Sequence, residues 1–329
     1  MNILGIETSC DETAASVVRD GKDILSNIVV SSLKEHEQYG GVIPEIASRR
    51  QLEYINPIVE EALLKSRLGL EDIDAIAVTQ NPGLIGSLLV GTSFAKALSF
   101  SLNKPLIEVD HIKAHIYANF LNAVNQPTLP AVGLVVSGGH TILYRIKDIH
   151  HFLALGQTLD DAVGEAFDKV ARVLGLGYPG GPIIDRLAQE VEKSSLKFKC
   201  ADLPDSFDFS FSGIKTAILY YVRDHKYDKD FSIKEVACAF QESVVSVLIE
   251  KSIHACQKFK IKTLLVGGGV AANSHLRKRL ILKARGHHIK VYFPTLPLCL
   301  DNAAMIAGLG YHIYHKKMES AGKQFCALK

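Results

Sequence analysis

Two histidines four residues apart, His111 and His115 in Val-Asp-His-Ile-Lys-Ala-His, put both imidazoles on one face of a helix. Such a pair can hold a metal ion. A third ligand is offered far downstream by Asp301, which follows a proline-containing loop at a helix start in Leu-Cys-Leu-Asp-Asn-Ala-Ala-Met. Two imidazoles and one carboxylate leave coordination positions open for a substrate. Zinc proteases use the same histidine spacing, but they need a glutamate directly after the first histidine as general base, and here that position is Ile112. The ion is therefore expected to orient or polarise a substrate rather than to drive peptide hydrolysis. Taken alone, the pair is also explained by a surface helix that carries two histidines by chance.

Three glycine-rich turns supply backbone N–H groups that an anion can approach closely, because no Cβ stands in the way. They are Ser137-Gly138-Gly139, the Gly175–Gly181 stretch and Gly267-Gly268-Gly269. None has the spacing of a dinucleotide fingerprint, and none carries the Gly-Lys-Ser/Thr of a P-loop. Each could be a tight turn and nothing more, yet three in one chain favour a nucleotide. Acidic residues lie beside these turns or on the flanking helices. Asp11, Asp168 and Asp185 could accept hydrogen bonds from ribose or substrate hydroxyls, or could be surface carboxylates paired with lysines. Asn273 is either a helix cap or a ligand contact.

The elements that must position these residues form a repeated pattern. Ile3 to Glu7 reads as a buried strand interrupted by Glu7, residues 8–12 as a polar turn, and Thr13 to Val18 as a returning strand. Ala131 to Val136, Ser137 to His140 and Thr141 to Ile146 repeat this. Each hairpin precedes mixed helices and strands, which predicts two related α/β lobes with a cleft between them. A helix is expected from Pro44 to Lys65 with a break or kink at Pro57. A strand is expected at Ala75 to Thr79, a turn at Asn81-Pro82-Gly83, a helix from Ser87 to Leu102, and a strand at Leu106 to Val109. That last strand places the histidine helix at a strand's carboxyl end, where open α/β sheets bind ligands. In the second lobe, helices are expected at Ala162 to Leu174, Gly213 to Val222 and Ile233 to Phe259, with a strand at Thr263 to Val266.

Composition narrows the function classes. With 47% hydrophobic and 22% charged residues in 329, the chain is neither disordered nor collagen-like and can bury a core of about two domains. Its net charge of +2 requires any nucleic-acid contact to come from a local patch, and Arg277, Lys278, Arg279, Lys283, Arg285, His287, His288 and Lys290 form the best candidate. A solvated helix face would read the same way. Cys10, Cys200, Cys238, Cys256, Cys299 and Cys326 include no C-x-x-C pair, so free thiols in a reducing compartment are expected. Neither a signal peptide nor an apolar run of membrane-spanning length is read, so a cytoplasmic enzyme with no membrane contact is the expectation.

Taken together, the motifs resemble a known family. Gly-Ile-Glu-Thr-Ser-Cys-Asp-Glu-Thr at 5–13, Tyr-Gly-Gly-Val-Ile-Pro-Glu-Ile-Ala-Ser-Arg at 39–49, His111 with His115, Val-Ser-Gly-Gly-His-Thr at 136–141, Phe-Ser-Gly-Ile-Lys-Thr at 211–216 and Gly-Gly-Gly-Val-Ala-Ala-Asn at 267–273 occur in family order. The chain resembles the bacterial-type tRNA N6-adenosine threonylcarbamoyltransferases, also called the O-sialoglycoprotein endopeptidase-like family. The resemblance implies an α/β fold of two duplicated lobes, like actin, the sugar kinases and the heat-shock ATPases, around a nucleotide cleft. The expected lobes are 1–127, joined by 302–329, and 128–301. The implied reaction moves a threonylcarbamoyl group from threonylcarbamoyl-AMP to the N6 amine of the adenosine beside the tRNA anticodon and releases AMP.

Carried over residue by residue, His111, His115 and Asp301 would hold one divalent ion, iron (Fe2+), with zinc as the alternative. Val135, Val136, Ser137, Gly138, Gly139, Asp168, Gly181, Asp185 and Asn273 would hold the adenylate, and Asp11 and Glu12 would be catalytic. The implied partners are tRNA, a catalytically silent paralogue and a small P-loop ATPase. Lys113 and Ala114 stand where the family often has Glu-Gly, and Asn81 where a glycine is usual; Lys113 is expected to strengthen attraction to phosphate. A carbamoyltransferase of the hydrogenase-maturation type and a small-molecule kinase share the fold. The first carries extra segments with C-x-x-C pairs that this chain lacks, and the second needs no His-His-Asp site.

Overall fold

The computed structural model describes residues 1–201 and 203–326 and divides into two compact units, Met1–Gln126 with Leu300–Lys329, and Pro127–Cys299. Asp301 therefore belongs to the first unit, although the expected boundary had placed it at the end of the second.

In the first unit β1 (Asn2–Glu7), β2 (Glu12–Arg19) and β3 (Asp23–Ser31) form an antiparallel meander. A short helix α1 (Leu33–Glu37) leads to α2 (Pro44–Ser66), followed by β4 (Ala75–Asn81), α3 (Ile85–Leu102), β5 (Leu106–Asp110) and the histidine helix α4 (His111–Tyr117). Strands β4 and β5 add in parallel, giving the order β3-β2-β1-β4-β5. Helices α2 and α3 cover one face of this sheet through Leu4, Ile6, Val17, Ile55, Ile58, Val59 and Val78.

The second unit repeats the plan. Strands β6 (Ala131–Val136), β7 (Thr141–Asp148) and β8 (His151–Gln157) form the meander, and β9 (Thr263–Gly267) and β10 (Lys290–Tyr292) add in parallel, in the order β10-β9-β6-β7-β8. Its helices are α5 (Val163–Val173), α6 (Gly180–Ala188), α7 (Ser212–His225), α8 (Ile233–Lys258), α9 (Ser274–Arg285) and the short α10 (Leu296–Cys299). Phe167, Phe209, Phe211, Phe240 and Leu264 anchor its core. The repeat is one of connectivity as well as of hairpins. The third meander strands, β3 and β8, carry no clean two-residue alternation, and the sequence reading missed both.

Two expectations need correction. Helix α2 runs through Pro57 without the break that was one of the two expected outcomes. That residue is exposed, so the carbonyl deprived of its N–H partner faces water rather than the core. Helix α3 is also long and apolar enough to cross a membrane by length and composition, with 22% of that stretch buried. It packs inward through Ser87, Gly91, Thr92 and Ala95 and leaves Ile85, Leu89 and Phe100 outward, so small residues face its neighbours. Five cysteines are free thiols, and the side chain of Cys326 lies outside the described part.

The chain returns to the first unit through α11 (Ala303–Cys326), which crosses the other face of its sheet at close range. Gly5 makes this approach possible: a Cβ there would collide with the Ala303 carbonyl oxygen and come within 2.9 Å of the Ala307 Cβ. The same approach sets the start of α11, and so Asp301, against the sheet that carries the histidines. Gly5→Ala should cost about 1–3 kcal/mol by overpacking. Urea denaturation would show this, and a matching loss of metal affinity is expected as Asp301 is pushed away.

Candidate metal centre and glycine turns

Strand β5 ends at Asp110, whose side chain accepts the Lys113 backbone N–H at 2.9 Å and so caps α4. This cap starts the helix at His111 and directs its first turn. Lys113 folds back towards the same carboxylate, its Nζ lying 3.8 Å from Asp110 Oδ2, so the expected attraction to phosphate is shared with a local partner. At the other chain segment Asn302 is fully buried and accepts the Met305 N–H at 3.1 Å. Asn302 is therefore the cap of α11, and Asp301 is presented just ahead of it.

These two helix starts bring the three ligands together. His115 Nε2 lies 3.1 Å and His111 Nε2 3.5 Å from Asp301 Oδ1, and the donor atoms of the three residues all fall within 4.8 Å of one another. Ligand atoms that share one ion at bond lengths of about 2.1 Å stand roughly 3–3.5 Å apart. The side chain of His115 is fully buried, and neither of its ring nitrogens has a hydrogen-bond partner. The short contact to Asp301 therefore lacks hydrogen-bond geometry, which is the arrangement expected of two donors converging on a shared cation.

His111 is held from behind by a residue that sequence reasoning left without a role. Glu7, fully buried at the end of β1, places Oε2 2.9 Å from His111 Nδ1 and accepts the hydroxyl of Thr79 and the backbone N–H of Ser9. Ser9 Oγ lies 3.2 Å from the same ring nitrogen. A proton on Nδ1 shared with Glu7 leaves Nε2 free to face Asp301. The available signal was a lone carboxylate at the end of an otherwise apolar strand, Asn-Ile-Leu-Gly-Ile-Glu.

Asp11 ends the β1–β2 turn of the same unit and Glu12 opens β2. Burial, followed by the charges of Asp301, Asp11 and Glu7, drives the Glu12 carboxyl well above the usual range. So concentrated a set of acids is what a bound cation would relieve. Burial alone would lower His111, but the carboxylates of Glu7 and Asp301 outweigh it and push the imidazole up to about 9. Burial and the neighbouring His111 lower His115. Burial and the nearby acids also raise the Cys10 thiol, which removes it as a nucleophile.

The second unit gathers the glycine turns. Strands β6 and β9 pair in parallel with Val135 opposite Gly267, so turns 137–140 and 267–269 emerge side by side at the strands' carboxyl ends. Ser137 closes its turn by bonding His140 through backbone and side chain, and Gly164 N–H at the start of α5 donates to the Ser137 carbonyl at 3.1 Å. Gly138, Gly139 and Gly181 have open space where a Cβ would stand. Gly268 does not. It sits at φ +94° and a Cβ would strike the Val136 carbonyl, so this glycine is needed by the turn itself.

The polar candidates near these turns all hold helix starts. Asp168 accepts the Gly180 N–H at 2.7 Å at the first residue of α6, and burial raises its carboxyl despite that bond. Asp185 accepts both the N–H and the hydroxyl of Ser274 at 3.0 Å. Asn273 caps α9 through Leu276 N–H and donates to the buried Gln241. Each keeps hydrogen-bonding capacity beyond these contacts.

The basic segment also divides. Arg277 donates to the carbonyls of Ala271 and Pro294 at 2.6 and 2.8 Å, lies 3.1 Å from Cys299 Sγ, and stacks on Phe293. Arg279 pairs with Glu242 at 2.7 Å. Lys278, Lys283, Arg285, His287, His288 and Lys290 are exposed. Arg277 is thus part of the packing, and reversing its charge would report on stability rather than on ligand binding.

Comparison with known proteins bears on this arrangement. The profile of a family described as tRNA N6-adenosine threonylcarbamoyltransferase matches residues 23–308. A protein of Dictyoglomus turgidum with that same description is 52% identical over 321 residues, covering 97% of this chain and 96% of its own. Among solved structures, full-length HypF in its phosphate- and nucleotide-bound form aligns with a TM-score of 0.61 at 15% identity, over 94% of this chain and 46% of HypF. The ROK hexokinase of Thermus thermophilus aligns at 0.51 and 15%, over 97% of this chain and all of its own, 100%. Both structural matches bear on fold alone, and both agree with the duplicated α/β plan.

Because an ion must displace the His111 proton, metal affinity of the metal-free chain should rise with pH up to about 9 and flatten above it. Glu7→Gln removes the charge that raises this imidazole, so it should move the rise to lower pH and weaken binding roughly tenfold to a hundredfold. Calorimetric zinc titrations across pH, with circular dichroism to verify folding, measure both effects.

Proposed function

Because the chain belongs to the tRNA N6-adenosine threonylcarbamoyltransferase family, an acyltransferase family that modifies tRNA, we propose that it takes the threonylcarbamoyl group from threonylcarbamoyl-AMP. The acceptor is the N6 amine of the adenosine beside the anticodon, and AMP is released. The observation that carries the site assignment is the convergence of His111, His115 and Asp301 within 4.8 Å, with His115 fully buried and its Nε2 3.1 Å from Asp301 Oδ1.

The donor is a mixed carbamic–phosphoric anhydride, so its carbonyl carbon is already electrophilic and its AMP leaving group is stable. Orientation and charge stabilisation then matter more than a strong nucleophile. The adenosine amine adds to the carbonyl carbon, the carbonyl–oxygen bond to phosphate breaks, and the amine gives up a proton as AMP departs. In our reading the Asp11–Glu12 pair shares this one proton, the bound cation countering the burial and acidic charge that raise Glu12. Val135, Val136, Ser137, Gly138 and Gly139 cradle the AMP part with backbone groups, and Gly181 leaves room for it. Asp168, Asp185 and Asn273 use the capacity left over from their helix caps to bind its hydroxyls. A divalent ion held by the two histidines and Asp301 would supply Lewis-acid charge to the acyl group. Two imidazoles and one carboxylate with open positions suit Fe2+, and zinc is the alternative.

For tRNA, the exposed Lys278, Lys283, Arg285 and Lys290 support a phosphate contact that adds affinity without reading sequence. A catalytically silent paralogue and a small P-loop ATPase complete the proposed assembly. The apolar Ile85, Leu89 and Phe100, which are 79%, 59% and 89% exposed, support a protein partner for this chain.

Two measurements test these assignments. Gly138→Val fills open space in a turn that tolerates a side chain, so it should weaken AMP binding at least about tenfold in calorimetry while leaving the thermal midpoint unchanged. Unchanged affinity would move the nucleotide elsewhere. Charge reversal at Lys278 and Lys283 should lower tRNA affinity for matched and unmatched tRNAs alike and reduce the salt slope by about two. AMP affinity should stay at the wild-type value in that variant, and a wild-type tRNA slope would exclude the patch.

A further inference from the structure

The β1–β2 turn is held almost entirely by donors from outside it. Gln51 Nε2 lies within 3.4 Å of the Thr8, Cys10 and Glu12 carbonyls, Leu84 N–H donates to Ser9, and Ser87 Oγ donates to Cys10. The Asp11 carbonyl receives two bonds from Ser32, its N–H at 3.0 Å and its hydroxyl at 2.9 Å. Of these side-chain donors, only the Ser32 hydroxyl is itself gripped by another side chain.

That grip comes from His36, the one buried residue of α1, with no exposed surface. The Ile43 N–H, at the entry to α2, donates to His36 Nδ1 at 3.2 Å, so the ring proton must sit on Nε2. Nε2 lies 3.1 Å from Ser32 Oγ and donates to it. A serine hydroxyl can rotate among three staggered positions. With a lone pair occupied by His36, its hydrogen is turned towards the Asp11 carbonyl. The three bonds therefore run in one direction, from Ile43 through His36 and Ser32 to Asp11, and His36, Ser32 and Asp11 are all buried.

We propose that His36 is a positioning residue for transfer, fixing the Asp11 peptide through Ser32 while the Ser31 hydroxyl donates to the Asp11 carboxylate at 3.3 Å. This rests on the assignment of Asp11 to the reacting group. The relay also gives a physical role to the segment leading into the Tyr39–Arg49 motif, since Ile43 closes the relay and Gln51 clamps the same turn. His36 touches neither His111, His115 nor Asp301, so its effect reaches the chemistry through the turn and not through the ion.

The test measures threonylcarbamoyl transfer to tRNA from threonylcarbamoyl-AMP, with the partner proteins the wild type needs, alongside bound metal and thermal midpoint. Ser32→Ala and His36→Asn should each lower kcat about tenfold with KM for tRNA unchanged, because one positioning bond is lost. Metal content should stay at the wild-type level. His36→Gln, whose amide N–H reaches the Nε2 position, should recover activity relative to His36→Asn. The double variant Ser32→Ala with Asp11→Asn should be no slower than Asp11→Asn alone, since the two act through one group. Should His36→Asn fail to fold, Ser32→Ala carries the same test. Wild-type kcat in Ser32→Ala, a fall confined to KM or metal content, or multiplicative losses in the double variant would overturn the proposal. A wild-type rate in Asp11→Asn would instead remove the assignment of Asp11, and the proposal with it.

Discussion

The buried Glu7–His111 contact is the constraint on which the candidate metal centre rests. A carboxylate with no exposed surface must be compensated, and Glu7 is compensated by an imidazole, a threonine hydroxyl and a backbone N–H at once. These bonds tie three strand ends, β1, β4 and β5, to one point. His111 then cannot rotate without leaving a buried charge unpaired, and its second nitrogen is fixed in direction before any ion arrives. The close approach of α11 over Gly5 adds the third ligand to this frame.

The duplicated units show how one topology is put to two uses. Both begin with a strand, a four-residue turn and a returning strand, and both add two parallel strands on the same side. In the first unit the turn carries carboxylates and is clamped from outside by Gln51, Ser32 and Ser87. In the second the corresponding turn carries Gly138 and Gly139, closes on itself through Ser137 and His140, and has open space where side chains would be. Rigid placement of charge and open access to backbone amides are opposite demands, and the same connectivity meets them by changing the turn residues and the side chains that clamp them.

Capping links structure to function throughout the molecule. Asp110, Asn302, Asp168, Asp185 and Asn273 each satisfy orphan N–H groups at a helix start. Helix starts at the ends of parallel strands are also where ligands meet an open α/β sheet, so a polar residue there serves the helix first and a ligand with what remains. Arg277 shows the converse. Its guanidinium is charged and partly exposed, yet two of its nitrogens donate to backbone carbonyls and its face lies on Phe293.

Much of this was legible in the sequence, because it rests on short-range periodicity. The histidine pair, each hairpin, each glycine turn and each family motif is contained within a short stretch of the chain, where helix and strand geometry convert spacing directly into facing. The third meander strands, lacking clean alternation, and the continuity of α2 through an exposed Pro57 depended on neighbours that spacing does not encode. Only the tertiary structure decided that Asp301 belongs with the first unit, that Glu7 backs His111 from 104 residues away, that Gly268 serves its own turn, and that Arg277 packs inward. Each of these turns on what fills the space beside a residue, and partners distant in sequence occupy that space only once the chain has folded.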